Sequence, residues 1–235
     1  MLLYTPRETK LFKSLDSPKK IQDFLAFKIR HNPAKDGVEC RSPREVLKIG
    51  KAHCMEGALL AAAILEFHGY KPLLLDLRST SDDLDHVVAL FRQFGCWGAI
   101  SKTNHAVLRY REPVYRSVRE LALSYFHEYF LDNGKKTLRE YSAPVDLRYF
   151  YPSIPLNPLP SPPPKGEENC SHPSPSGRGA GVRVDWRTTE KDLADLPEIL
   201  DKSKHYKILS SAQIKNLRKA DKIEIKAGKL VEWKG

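Results

Sequence analysis

The 235-residue chain has no long hydrophobic run. Its longest apolar stretch, from Gly57 to Leu65, is far shorter than the roughly 20 residues that span a bilayer, so no membrane partner is expected. The opening stretch MLLYTPRETKLFKSL carries charges at Arg7, Glu8 and Lys10 and has neither the apolar core nor the cleavage site of a secretory signal, so the protein is expected in the cytoplasm. Cysteine is scarce: Cys40, Cys54, Cys96 and Cys170 are irregularly spaced with no C-x-x-C pair, which argues against a zinc ribbon and a disulfide scaffold and leaves free thiols. No helix-turn-helix, zinc-finger or RNA-binding signature accompanies the net charge of +10, and the Lys and Arg residues are scattered. The excess reads as a solvated surface, and nucleic acid is not expected as a partner.

What is present is a succession of helical and extended patterns. PKKIQDFLAFKIR (18–30) places Ile21, Phe24, Leu25 and Ile29 on one helical face. Ser42-Pro43 reads as a cap followed by proline in the first helical position. From Cys54 to Phe67 the residues are strong helix formers, apolar nearly all round, with Gly69 where a helix should end; this predicts a central buried helix. Three short apolar runs follow, in KPLLLDL (71–77), DHVVALF (85–91) and CWGAIS (96–101), separated by turn chemistry close enough for an antiparallel meander. RSVRELALSYFHEYFL (116–131) then reads as one helix ended by Asn133-Gly134. The expected class is α+β, with a central Cys-bearing helix packed on an antiparallel sheet and helical flanks.

Segment 152–181 contains nine prolines, four glycines and five serines, a composition that cannot bury enough apolar surface to order itself. The expected organisation is therefore a main domain over 1–151, a disordered insertion or linker over 152–184, and a small extension over 185–235. In that extension, 187–200 and 210–220 read as helical and 221–235 as a hairpin around Ala227-Gly228. Its Ile223, Ile225, Leu230, Val231 and Trp233 are expected to pack against the main unit.

The chemistry centres on Cys54. A thiol attacks as thiolate, and a helix N-terminus favours an anion through its unpaired N–H groups and dipole. Thirty-two residues later His86 opens a strand pattern from which a base could face that helix start. A core cysteine and a packed histidine fit the same residues. Beside the pair, Glu56 and His53 could contribute, although Glu56, being negative, could instead do no more than favour the helix start; Asp85 should point to the sheet face opposite His86.

The segments GKAHCMEGALLAAAILEFHGYKPLLLDL, DHVVALF and GCWGAISKTN, in that order, resemble the transglutaminase-like superfamily of papain-like cysteine enzymes. That superfamily includes transglutaminase-core proteins, peptide N-glycanases and arylamine acetyltransferases. The resemblance covers about residues 45–105, and the run on to KTLREYSAPVDLRYF looks like a bacterial branch of the superfamily. It implies a nucleophilic Cys54 at a helix start, His86 as its base, and a third residue on the next strand. Where the family places Asp this chain has Ser101, followed by Lys102, Thr103 and Asn104. Ser101 or Asn104 could orient the imidazole without supplying charge, and the residues leave the choice open. No Trp precedes Cys54, and Gln22, a residue type that some members use there, lies on a separate predicted helix.

The implied function is a cysteine hydrolase or acyltransferase acting on an amide or thioester, with a peptide or protein among the possible acyl-bearing substrates and no cofactor. The alternative is a degenerate relative serving as a binding module. Arg109, Arg111 and Tyr115 are candidate substrate-binding residues for an acidic or carboxylate-bearing substrate, and as readily structural ones. His105 is weighed toward packing, Trp97 toward the core, and Cys40 and Cys96 lack paired histidines.

Overall fold

The computed structural model describes residues 3–32, 40–151 and 185–230. The expectations for 152–184, with Cys170, and for Val231 and Trp233 fall outside the described residues. In chain order the elements are α1 (Pro6–Ser14), α2 (Pro18–Phe27), β1 (Arg30–His31), α3 (Pro43–Ile49), β2 (Lys51–Ala52), α4 (Cys54–Phe67), β3 (Leu73–Arg78), β4 (His86–Gln93) and β5 (Cys96–Ile100). After these come β6 (Arg111–Tyr115), α5 (Val118–Leu123), β7 (Glu140–Ser142), β8 (Val145–Asp146), α6 (Leu147–Phe150), α7 (Leu196–Lys202), β9 (His205–Lys207), α8 (Ser211–Lys215) and α9 (Lys222–Gly228). The fold is mixed α+β.

Local chemistry accounts for the helix starts. Ser42 accepts the Glu45 N–H at the head of α3, with Pro43 in the first helical position, and Gly50 closes that helix at φ +69°. Thr5 and Glu8 cap α1 reciprocally. At α4 the Glu56 carboxylate accepts the His53 N–H at 3.0 Å. Residues 56–65 of α4 are all buried, so the helix runs through the core rather than over it. Leu59, Leu60, Ile64 and Leu65 are fully enclosed, each contributing about 1.5–3 kcal/mol by burial.

The large sheet is antiparallel, in the order β6-β5-β4-β3-β7-β9, with β8 pairing on β3 beside β7. Both faces are covered. Leu74, Val87, Ala89, Phe91 and Ile100 pack toward α4, while Leu75, Leu77, Val88, Leu90 and Ala99 pack toward α5, Tyr125 and Phe126. Burial on both sides explains why β3 and β4 read as continuous apolar runs. Among the described residues no helix is long and apolar enough to cross a membrane.

Several expectations need correction, among them the helix expected over 210–220, which is confined to α8 (Ser211–Lys215). The α-helix expected over 116–131 stops at Leu123: Ser124 turns its hydroxyl back onto the Leu121 carbonyl, and only a single 3-10 turn, Phe126–Glu128, follows, with Tyr125, Phe126 and Tyr129 filling the second core. Residues 231–235 lie outside the described residues; where the hairpin was expected, Lys222–Gly228 forms α9 instead, because Asp221 accepts the N–H groups of Ile223 and Glu224 while Glu224 accepts the Asp221 N–H. Its Ile223 and Leu230 face solvent, at 79% and 62% exposure, rather than packing inward. Over 187–200 helix forms only from Leu196. The residues before it pack through Trp186 and Leu193, and β9, which the sequence reading missed, extends the sheet.

Gly57 explains how closely α4 meets the chain beyond β5. A Cβ there would lie 2.2 Å from the Lys102 Cβ. Gly57→Ala should therefore destabilise the protein by about 1–3 kcal/mol in urea unfolding, through overpacking, although alanine is intrinsically the better helix former.

Candidate active site

Cys54 is the first residue of α4. The backbone N–H groups of Val87, next to His86 on β4, of Met55 and of Cys54 itself lie near its sulfur and favour the thiolate. The residue keeps some exposed surface, but the protein atoms crowding the sulfur push the thiol pKa up, with the negative charge of Asp76 adding to the shift. The three N–H groups pull the other way without overcoming burial. Glu56 is fully committed to structure: besides capping the helix, its carboxylate accepts the backbone N–H and the Nε of Arg41, at 3.1 and 2.8 Å.

His86 opens β4 and is 7% exposed. Its Nε2 lies 2.6 Å from the Ser101 hydroxyl oxygen. Burial, helped by the neighbouring positive charges of His105, Arg111 and His31, pulls its pKa down from 6.5 to about 4. The imidazole is therefore neutral at pH 7, and the Cys54 thiol, with its pKa raised, is neutral as well.

Strand alternation explains the partnership. Ala99 and Val88 share the face turned away from α4, and Ser101 and His86 lie two residues along from them on the same side. Asn104 lies beyond, in a bend, and makes no hydrogen bond to His86 among the described residues. Asp85, as expected, points elsewhere: it accepts the Ser79 N–H and hydroxyl.

Most of the remaining candidates are engaged in the fold. The Arg111 guanidinium donates to Ser124 and to the Glu128 carboxylate at 2.6 Å and lies 4.0 Å over the Tyr125 ring, so it is a structural brace. Tyr115 packs on the second core cluster. The Arg109 Nε is buried with no partner among the described residues, and nothing brings it to His86. His105 Nδ1 bonds the Gly228 carbonyl at 2.9 Å, tying α9 to the chain after β5. Cys40 is buried with its sulfur 3.5 Å from the Met55 sulfur, and burial raises its pKa strongly. Trp97 is a core residue under Arg92.

Two features escaped the sequence reading. Gln22 on α2 reaches Ser101 with both arms of its amide. On the α4 side of the sheet, Asp76 pairs with His205 of β9 at 3.0 Å. Burial opposes charge on His205, but its bonds to Asp76 and to the Ser203 carbonyl outweigh that and hold its pKa up. Asp76 is in register with Val87, the residue whose N–H meets the Cys54 sulfur. The one signal for it was an acid inside the apolar run LLLDLR. No group of three or more His, Cys, Asp or Glu among the described residues could hold a metal ion. No protein-family model matches the chain, and no curated protein matches it.

Proposed function

We propose that the chain is a cysteine-dependent hydrolase or acyltransferase with a transglutaminase-like core, acting on an amide or thioester. The observation that carries this reading is the 2.6 Å bond between His86 Nε2 and Ser101, on the strand whose next residue, Val87, brings its N–H to the sulfur of the helix-initial Cys54. With Nε2–H donating to Ser101, Nδ1 is the nitrogen that takes a proton. In the reaction the Cys54 thiol proton passes to His86 Nδ1 as the sulfur bonds the substrate carbonyl carbon. The imidazolium then returns that proton to the departing amine or thiol as the C–N or C–S bond breaks. Water or an amine releases the acyl group in the reverse sequence. Backbone N–H groups at the start of α4 are the available donors to the developing oxyanion.

A specific observation favours a second reading. Ser101 supplies no negative charge to an imidazolium, and His86 and Cys54 both rest neutral, as a binding module that keeps only the fold would tolerate. Alkylation of Cys54 by iodoacetamide, followed by peptide mass across pH, separates the two. If His86 is the base, alkylation near neutral pH slows by about tenfold or more in His86→Asn, in line with the loss of a general base. Equal rates and equal pH profiles in both proteins would overturn the enzymatic reading and leave the binding module. Because the resting pair is neutral, the wild-type rate should rise with pH without the acidic plateau of a thiolate–imidazolium pair.

A further inference from the structure

Gln22 sits within the inward stripe of α2, beside Ile21 and three residues before Leu25, and is 6% exposed. A polar side chain in that setting has to be satisfied. Its Nε2 donates to the Ser101 carbonyl at 3.0 Å, and its Oε1 accepts the Ser101 N–H at 2.9 Å. The amide thus does for Ser101 what the peptide groups of a neighbouring strand would do, immediately after the β4–β5 ladder ends at Ile100. The next residue is held as well. Lys102 donates its ammonium to the Ile29 carbonyl at 2.7 Å, and its Cβ rests on Gly57 of α4. With the backbone held on both sides, the Ser101 hydroxyl reaches its 2.6 Å contact with His86 through one remaining torsion.

We propose that Gln22 is a positioning residue for the Cys54–His86 site, acting through Ser101 to fix the plane of the His86 ring. It touches neither sulfur nor imidazole. Its effect passes along one route, from the α2 amide to the Ser101 peptide groups, to the Ser101 hydroxyl, to Nε2. Fixing the plane aims Nδ1, so a loosened Ser101 costs base assistance without removing the base. This rests on the reading of His86 as the base of Cys54, and the experiment separates the failure of one from the failure of the other.

Gln22→Met keeps length and apolar packing and removes both hydrogen bonds. Two readouts are needed: the 15N signals of the His86 ring, and Cys54 alkylation by iodoacetamide in the wild-type and His86→Asn backgrounds. The expected result is a shift of the His86 ring signals, together with alkylation slowed severalfold, and by less than His86→Asn slows it, where His86 is present, and unchanged where it is Asn. A purely structural role would slow alkylation equally in both backgrounds, and that outcome overturns the proposal. Unchanged ring signals in folded Gln22→Met overturn it too, whatever the alkylation rate. If His86→Asn leaves alkylation untouched while Gln22→Met still moves the ring signals, Gln22 positions His86 and the enzymatic reading falls. Should Gln22→Met fail to fold, Gln22→Glu serves: it keeps the acceptor for the Ser101 N–H, and loses the donor to the Ser101 carbonyl only while ionised. Its ring signals should match those of wild type at the same pH when the carboxyl is protonated and depart from them as the carboxyl ionises; signals that superimpose on wild type at every pH would overturn the proposal.

Discussion

Ser101→Asp is expected to raise the pKa of His86 from about 4 by about 1 to 3 pH units, read from an NMR titration of the ring. The hydroxyl oxygen it replaces lies 2.6 Å from Nε2, and a carboxylate there favours the imidazolium by charge and by a charge-assisted hydrogen bond. At present only unfavourable influences act on that ion: burial, and the positive charges of His105, Arg111 and His31. The substitution should also change Cys54. If His86 reaches Cys54 as the proposed proton transfer requires, its imidazolium favours thiolate, so alkylation should begin to rise at lower pH than in wild type. The carboxylate must itself be desolvated, and some global stability should be lost in exchange. If the His86 pKa stays near 4 in folded Ser101→Asp, then residue 101 does not control the ring, and the assignment of the third position to Ser101 fails with it.

The choice of Ser101 over Asn104 shows what the sequence could and could not say. The order of Cys54, His86 and GCWGAISKTN brought both candidates forward, and both are polar residues just after the same strand. What separates them is sheet parity: Ile100 faces α4, which turns Ser101 to the side shared by Val88 and His86. That parity follows from strand register, which a single sequence does not print. The boundaries of α4 were legible because helix formers, interrupted only by Gly57, run from Met55 to Phe67 and Gly69 adopts φ +87° just past its end. α9 was misread because IEIKAGKLVEW alternates like a strand, while the reciprocal cap between Asp221 and Glu224 starts a helix first. Gln22 and Ser101 are 79 residues apart, and the available signal was a glutamine lodged among Ile21, Leu25 and Ile29. The pairing of Asp76 with His205 needed β9, and HYK is too short and too polar to declare itself a strand.

The depressed pKa of His86 also makes the fold sensitive to acid. In the unfolded chain the histidine takes up its proton near pH 6.5, whereas in the folded protein it does so only near pH 4. Below 6.5 the unfolded state therefore binds more protons, and stability falls as the pH drops through that window. The stabilisation tied to a neutral His86 is complete above the unfolded value and is lost on approaching the folded one. The gap corresponds to about 3 kcal/mol, a large share of a typical domain's stability. His205 works in the opposite direction: its raised pKa adds stability under acid conditions, which is lost as pH rises through its folded value, so a single pH curve would mix the two. His86→Asn isolates the term, because asparagine can still bond Ser101 but does not titrate. Urea unfolding of both proteins across pH 6.5 to 4 should show the wild type losing about 3 kcal/mol more than the variant, while above neutral pH the two curves run parallel. Parallel curves through the acid window would mean that His86 titrates normally in the fold. The neutral resting pair on which the proposed proton transfer from Cys54 depends would then be wrong.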